Sequence, residues 1–173
     1  ERDADLSART PVVQLDDDGV VAAIHFNNRS AAPLDAPLEE VEPWYRAYRR
    51  FARLLRREAE HLNYASNFAI YDEDDQNALI KTVLNDLKIA VTDFPPKMIS
   101  YKISGAKNAF ILPEQFAQLA NTQHDKIIST IYSTYQRRLR ENNAMDFDDL
   151  LIKPIELFQL FPLVLEFYQD RFR

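Results

Sequence analysis

The apolar positions along this chain change period once, near residue 43. Before that point they fall into two short runs, Val12, Val13 and Leu15 and then Val20 to Phe26, on either side of the acidic turn Asp17-Asp18-Gly19. Short apolar runs around such a turn predict a β-hairpin. Two strands alone are marginal in water, so the hairpin needs a further sheet or a helix against it. Residues 30–42, broken by Pro33 and Pro37, predict a connecting loop. From Pro43 the period is helical. Trp44, Tyr48, Phe51, Leu55 and Leu62 recur at spacings of four, three, four and seven, the apolar stripe of a linking helix. Its other faces carry Arg46, Arg49, Arg50, Arg53, Arg56 and Arg57.

Beyond a short Asn-rich loop the rest of the chain reads as helices. Asp72 or Asp74 can cap the first, with Ile80, Val83, Leu84 and Leu87 as its stripe. Pro95-Pro96 opens the next, with Ile99, Ile103, Ala106 and Phe110 on one face, and Pro113 opens a short helix through Phe116 and Leu119. A longer helix from about His124 to Glu141 turns Ile128, Ile131, Tyr132, Tyr135 and Leu139 inward and ends at Asn142-Asn143. Asp146 then caps FDDLLIKPIELF. Pro154 should kink or split that helix, because its ring removes one backbone donor and clashes with the preceding turn. Pro162 begins the last helix, Leu163 to Phe172. The fold class expected is mainly α: six or so short helices, preceded by a β-hairpin and a linking helix.

Composition restricts the chemistry. The 173 residues, 46% of them apolar, suit one ordinary domain or two small ones with a real core. With no cysteine there is no disulfide scaffold and no Cys-ligated metal, and the three scattered histidines leave little for a His-based metal cage. Two glycines, against a usual share of roughly 7%, disfavour phosphate loops, Rossmann turns and hairpin-dense β folds. No apolar run nears the roughly 20 residues that span a bilayer, and ERDADLSART lacks the regions of a signal peptide. A soluble, cytoplasmic protein without a membrane partner is expected.

Sorted by position, the same residues show a seam near residue 60. All seven lysines, from Lys81 to Lys153, follow it, and every earlier basic residue is arginine. Ile24 is the one isoleucine before it, whereas eleven follow from Ile70 to Ile155. A domain boundary, or a chain fused from two sources, would produce such a shift. The division expected is a hairpin-and-loop segment over residues 1–50 and a helical domain over 51–173.

From Phe51 to the end, the stretches RLLRREAEHL (53–62), NFAIYDEDDQ (67–76), ISGAKN (103–108), LPEQFA (112–117), IYSTYQRRLRENNAMDFDDLL (131–151), PIELFQLFP and LEFYQDRFR (154–173) resemble the 1B region of UvrD/PcrA/Rep-type superfamily 1 DNA helicases, in family order and spacing. In that family a glycine-rich phosphate loop ending in Gly-Lys-Ser/Thr precedes this region, and an acidic magnesium-holding motif follows almost directly after the position of Arg173. Neither is in this sequence. The loop needs successive backbone N–H groups around the phosphates plus a lysine, which the isolated Gly19 and Gly105 do not supply. The resemblance therefore implies an accessory module that packs beside the remaining helicase domains and contacts DNA near the strand-separation junction. No cofactor is expected in this chain and no catalysis by it alone; ATP and magnesium belong to an intact helicase.

The first 50 or so residues resemble something else. TPVVQLDDDGVVAAIHFNNRSAAPLD followed by VEPWYRAYRRFARLLR is similar to part of the γ-butyrobetaine/trimethyllysine branch of 2-oxoglutarate, iron(II)-dependent dioxygenases. There the stretch matching Phe26-Asn27-Asn28-Arg29 lies near the substrate's carboxylate. The iron ligands are missing: His25, His61 and His124 show no His-x-Asp spacing. The two resemblances overlap in FARLLR (51–56), where a join is expected.

The candidate DNA contacts follow from the helicase resemblance. Lys107 and Asn108 in ISGAKN match the family's contact to the duplex backbone, with Lys102 on a neighbouring turn. The plainer reading of Lys107 is a cation complementing a helix C-terminus. Arg137 and Arg138, with Arg140, form a second basic cluster, and the arginine-rich helix 46–57 a third, each readable instead as a solvated face. Residues 51–173 carry 15 basic and 17 acidic side chains, so only local patches can attract DNA. Asp146, Asp148 and Asp149 look like a metal triplet by composition, but a cap with two acids in the first turn suits them better. A reading of another class is a non-catalytic fusion or interaction fragment that self-associates through the exposed hairpin edge.

Overall fold

The structure, a computed structural model, describes residues 11–15, 21–26 and 43–171, with side chains described from 48 to 170. Strands β1 (Pro11–Leu15) and β2 (Val21–Phe26) pair antiparallel, Pro11 opposite Phe26 and Val13 opposite Ile24, with an irregularity at Gln14/Leu15. The acidic turn expected between them, the loop after them and the side chain of Trp44 lie outside the described residues.

Helix α1 (Pro43–Arg57) ends sooner than the apolar stripe does. A separate 3-10 turn (Ala59–Leu62) carries the stripe on, so Leu55 and Leu62 are both buried although they belong to different helices. Asn63, at φ 58, closes that turn in the left-handed region that asparagine tolerates. Two short strands then appear in connections, one just before the expected cap at Asp72 and one between the expected helix stop at Asn142-Asn143 and the cap at Asp146. Strand β3 (Ala69–Tyr71) and strand β4 (Ala144–Asp146) pair in parallel, Ala69 with Ala144, Ile70 with Met145 and Tyr71 with Asp146. Asn143 fixes their meeting point, its carbonyl accepting from the Ala69 N–H at 2.9 Å and its side-chain oxygen from the Ala65 N–H at 2.8 Å.

Six helices follow α1 and the 3-10 turn in the chain: α2 (Glu73–Asp86), α3 (Pro96–Asn108), α4 (Pro113–Leu119), α5 (Gln123–Glu141), α6 (Phe147–Leu160) and α7 (Pro162–Arg171). Asp72 caps α2, its side chain accepting from the Asp75 N–H at 2.9 Å, and Thr122 caps α5. Side chains alternate along the ribbon and divide the apolar interior in two. Ala144, with Ala69 and Tyr71 against it, belongs to a core built from α2, α3 and α5 around Ile80, Leu84, Ile99, Ile131 and Leu139. Ile70 and Met145 belong to a second core of Leu55, Leu62, Phe68, Leu150 and Leu157, between α1, the 3-10 turn and α6. A ribbon buried on both faces is the usual setting of parallel strands.

Of the two outcomes expected at Pro154, a split does not occur: α6 runs through it as one helix. Pro154 is buried, as are Leu150 and Leu157 on the same helix, and that burial helps to offset the one lost backbone bond. Phe110 is not on the inner face of α3 either. The helix stops at Asn108, and Phe110 sits beyond it at φ 56, 54% exposed. Leu160 at the end of α6 and Leu163 and Phe167 on α7 are exposed apolar side chains. No helix among the described residues is long and apolar enough to cross a membrane.

Candidate functional site

The three helices α3, α5 and α6 converge on a buried cluster of charge at the end of β4. Lys107, from the last turn of α3, is 1% exposed. Its Nζ lies 2.6 Å from Asp146 and 2.9 Å from Asp149, which belong to the first turn of α6. Both carboxylates also serve the helix terminus: Asp146 accepts from the Asp149 N–H at 2.9 Å, and Asp149 from the Asp146 N–H at 3.3 Å, a reciprocal cap. From α5, the Tyr135 hydroxyl donates to Asp146 at 3.0 Å, the Gln136 amide donates to both Asp149 oxygens at 3.1 Å, and the Tyr135 ring lies 5.5 Å from the ammonium. Every charge in the cluster is thus met by an opposite charge or a donor, as burial in a poor solvent for ions demands.

The titration directions follow from this arrangement. Burial opposes the ammonium of Lys107, but Asp146 and Asp149 outweigh it and raise its pKa. Burial also works against the Asp149 carboxylate, yet Lys107 and Lys153 together hold it below the ordinary range. Asp146 moves the other way, raised by burial and by the Asp149 charge. Asp148, half-buried beside them, is pushed from 3.8 to about 6, by burial first and then by Asp146, despite a hydrogen bond from Ser104. Its native pKa lies above its unfolded one, so between roughly pH 6 and 4 the native state binds the extra proton and this group adds stability as pH falls. At neutral pH its charge is a burden. Asp148→Asn should therefore raise the urea midpoint at pH 7.5, keep about half of that advantage at pH 5 and lose it by about pH 3.5; a midpoint unchanged at all three would show that the carboxylate is well solvated.

The structure does not bring the sequence-predicted contacts together. Lys107 is corrected outright: it faces the core, paired to two aspartates, and presents no ammonium to a surface ligand. Asn108, next to it, is exposed and donates to the Ser104 hydroxyl at 3.3 Å. Lys102 is exposed near the start of α5, close enough to Asp125 to lower that acid's pKa after the hydrogen bond from Thr122. Arg137 is exposed and pairs with Glu141 along α5. Arg138 is tied down further, reaching Asp86 on α2 as well as Glu141. Asp125 and Arg137 are twelve positions apart on one helix, so Lys102 and Arg137 sit roughly 18 Å apart along its axis. They are two separate points of positive charge.

A cleft of about 390 Å³ between α4, α5 and α6 carries both signs, Arg137, Arg140 and Lys153 with Lys107 of α3 at its floor, against Glu114, Asp149 and Glu156. Gly105 lies inside α3, where the backbone N–H groups serve the helix, and no group of three His, Asp or Glu side chains among the described residues could hold a metal ion. His61 packs edge-on against Phe161 and lies 3.4 Å from Glu58, whereas His124 stacks on Phe94. Tyr135 and Gln136 were not singled out from the sequence as polar partners. The signal that Lys107 points inward is there, since Ile99, Ile103 and Lys107 share one i, i+4, i+8 row.

Residues 22–173 match the family described as the UvrD/REP helicase N-terminal domain. The match starts well before residue 51, where the sequence resemblance was expected to begin, and takes in β2 and α1. The ATP-dependent DNA helicase PcrA of Bacillus subtilis (strain 168) is 34% identical over 160 residues, covering 88% of this chain and 22% of the relative. The proteins of the same name from Staphylococcus epidermidis and Staphylococcus aureus are 36% identical over the same coverage. The chain thus spans about a fifth of the length of these curated relatives.

Proposed function

Because the chain belongs to the UvrD/REP helicase N-terminal domain family, we propose that it is the DNA-contacting accessory part of an ATP-dependent DNA helicase, the 1B-like helical module beside the motor. Family membership carries this reading. Its contacts would be to junction or duplex phosphates, without sequence specificity, through Lys102, Asn108 and Arg137, the predicted residues that remain exposed, with Arg138 contributing where its ion pairs allow. Hydrolysis of ATP and the binding of magnesium would fall to motor elements of the intact protein. Those remaining helicase domains are the second partner, and the exposed apolar side chains Leu163 and Phe167 on α7 support a protein neighbour there.

Residues 1–50 stand apart in composition, and the dioxygenase-like stretch within 1–56 brings no iron chemistry with it, for want of a His-x-Asp pair. The family match, which begins at residue 22, favours counting residues 22–50 with the helicase part.

Fluorescence anisotropy with a forked duplex at low salt tests the proposal. Binding should fall linearly on a log–log plot as salt rises, and Lys102→Ala together with Arg137→Ala should flatten the slope by about 0.9 for each contact removed. A fork that stays unbound, or binding that the double variant leaves unchanged, would remove the DNA-contacting role.

A further inference from the structure

Helix α3 has two unlike faces. Ile99, Ile103, Ala106 and Lys107 are buried. Diametrically opposite, Lys97, Tyr101 and Asn108 fall within about 40° of one another at 100° per residue, with Gly105 alongside, and all four are exposed. Tyr101 stands 78% exposed in the middle of this strip. Isolated exposed aromatics are ordinary on protein surfaces, but the surroundings of this one are not neutral. No acidic residue occurs anywhere in PKMISYKISGAKN, whose charges are three lysines, one of them turned inward. A Cβ added at Gly105 would meet nothing within 4 Å, so the turn after Tyr101 is bare. Helical side chains lean toward the N-terminus, which lays the tyrosine ring over the Lys97 turn and leaves the Gly105 turn open to close approach. A rigid ring beside a cation and a bare backbone turn complements a single strand of nucleic acid: the lysine meets a phosphate and the ring meets a base face, while the neighbouring acids from other elements, Asp125 beside Lys102 and Asp148 on Ser104, lie at the edges of the strip.

We infer that the outward face of α3 is a docking strip for the unpaired arm of forked DNA, with Tyr101 stacking on an exposed base and Lys97 paired with a phosphate beside it. This rests on the proposed DNA-contacting role and adds a preference for unpaired bases. Lys107 takes no part in contact; clamped to Asp146 and Asp149, it fixes the orientation of the helix that carries the strip.

The two residues leave different signatures in binding by the full chain. Tyr101→Ala should weaken a fork with unpaired arms roughly tenfold, leave a blunt duplex nearly unaffected and keep the salt slope, because stacking releases no counterions. Tyr101→Phe should bind as the unchanged protein does. Lys97→Ala should flatten the slope by about 0.7, the value for one phosphate of a single strand. Tyr101 is too exposed for its removal to disturb the fold, which circular dichroism checks. If Tyr101→Ala binds the fork normally while Lys102→Ala with Arg137→Ala weakens it, the strip is wrong and the DNA-contacting role stands. Equal weakening of fork and blunt duplex by Tyr101→Ala would also overturn the preference for unpaired bases. No binding of the fork by the unchanged protein overturns both readings.

Discussion

Replacing Lys107 by Met should cost the fold about 3–5 kcal/mol, the range measured when one partner of a buried ion pair is removed. Methionine fills nearly the same space, so the loss is electrostatic: Asp146 and Asp149 would remain 1% and 2% exposed with the ammonium between them gone. Tyr135 and the reciprocal cap still hold Asp146, and Lys153 still favours the Asp149 charge, but none of these neutralises two carboxylates in one enclosed site. Against a typical total of about 5–15 kcal/mol, the variant would approach the point of unfolding at 37 °C. Urea denaturation followed by circular dichroism reads the effect. Adding Asp149→Leu to Lys107→Met should recover part of the loss, since it removes a charge along with its missing partner. A cost below about 1 kcal/mol for Lys107→Met would mean that water reaches the cluster and that Lys107 faces solvent after all.

The inward position of Lys107 marks where sequence reasoning stopped. Helices with strong punctuation were legible: Asp72, Pro96, Pro113 and Asp146 open α2, α3, α4 and α6, and Pro162 opens α7, because caps and first-turn prolines act within a single turn. The β3–β4 ribbon was not. Three-residue strands such as Ala69–Tyr71 and Ala144–Asp146 are too short to show a period, and their pairing joins residues 75 positions apart. The site failed for the same kind of reason. ISGAKN alone reads as a basic helix end, and MDFDDL alone as a capped helix start. Only the fold places the cation of one beside the carboxylates of the other and so converts a supposed surface contact into a core ion pair. Lys102 and Arg137 kept their exposure because both lie off the apolar stripes of α3 and α5.

The ribbon has an energetic consequence that Phe68→Ala exposes. Phe68 is 0% exposed at the entrance to β3, with the Tyr64 ring edge-on at 6.3 Å and the Arg56 guanidinium 5.4 Å over its face. Truncating a fully buried phenylalanine costs about 3–5 kcal/mol through lost transfer energy and the cavity left behind. The damage begins in the second core, but it should not stay there. The next two residues face opposite ways, Ala69 toward the first core and Ile70 into the second, and Ala144 and Met145 do the same on β4. Neither core can open without releasing a strand that walls the other, and the Lys107 cluster ties α3 of the first to α6 of the second. Phe68→Ala should therefore unfold in one transition at lower urea, with far-UV and near-UV signals superimposed. Tyr64 reports on the second core and Tyr132 and Tyr135 on the first, so near-UV loss that precedes the loss of helicity would show the cores melting separately and the ribbon failing to couple them.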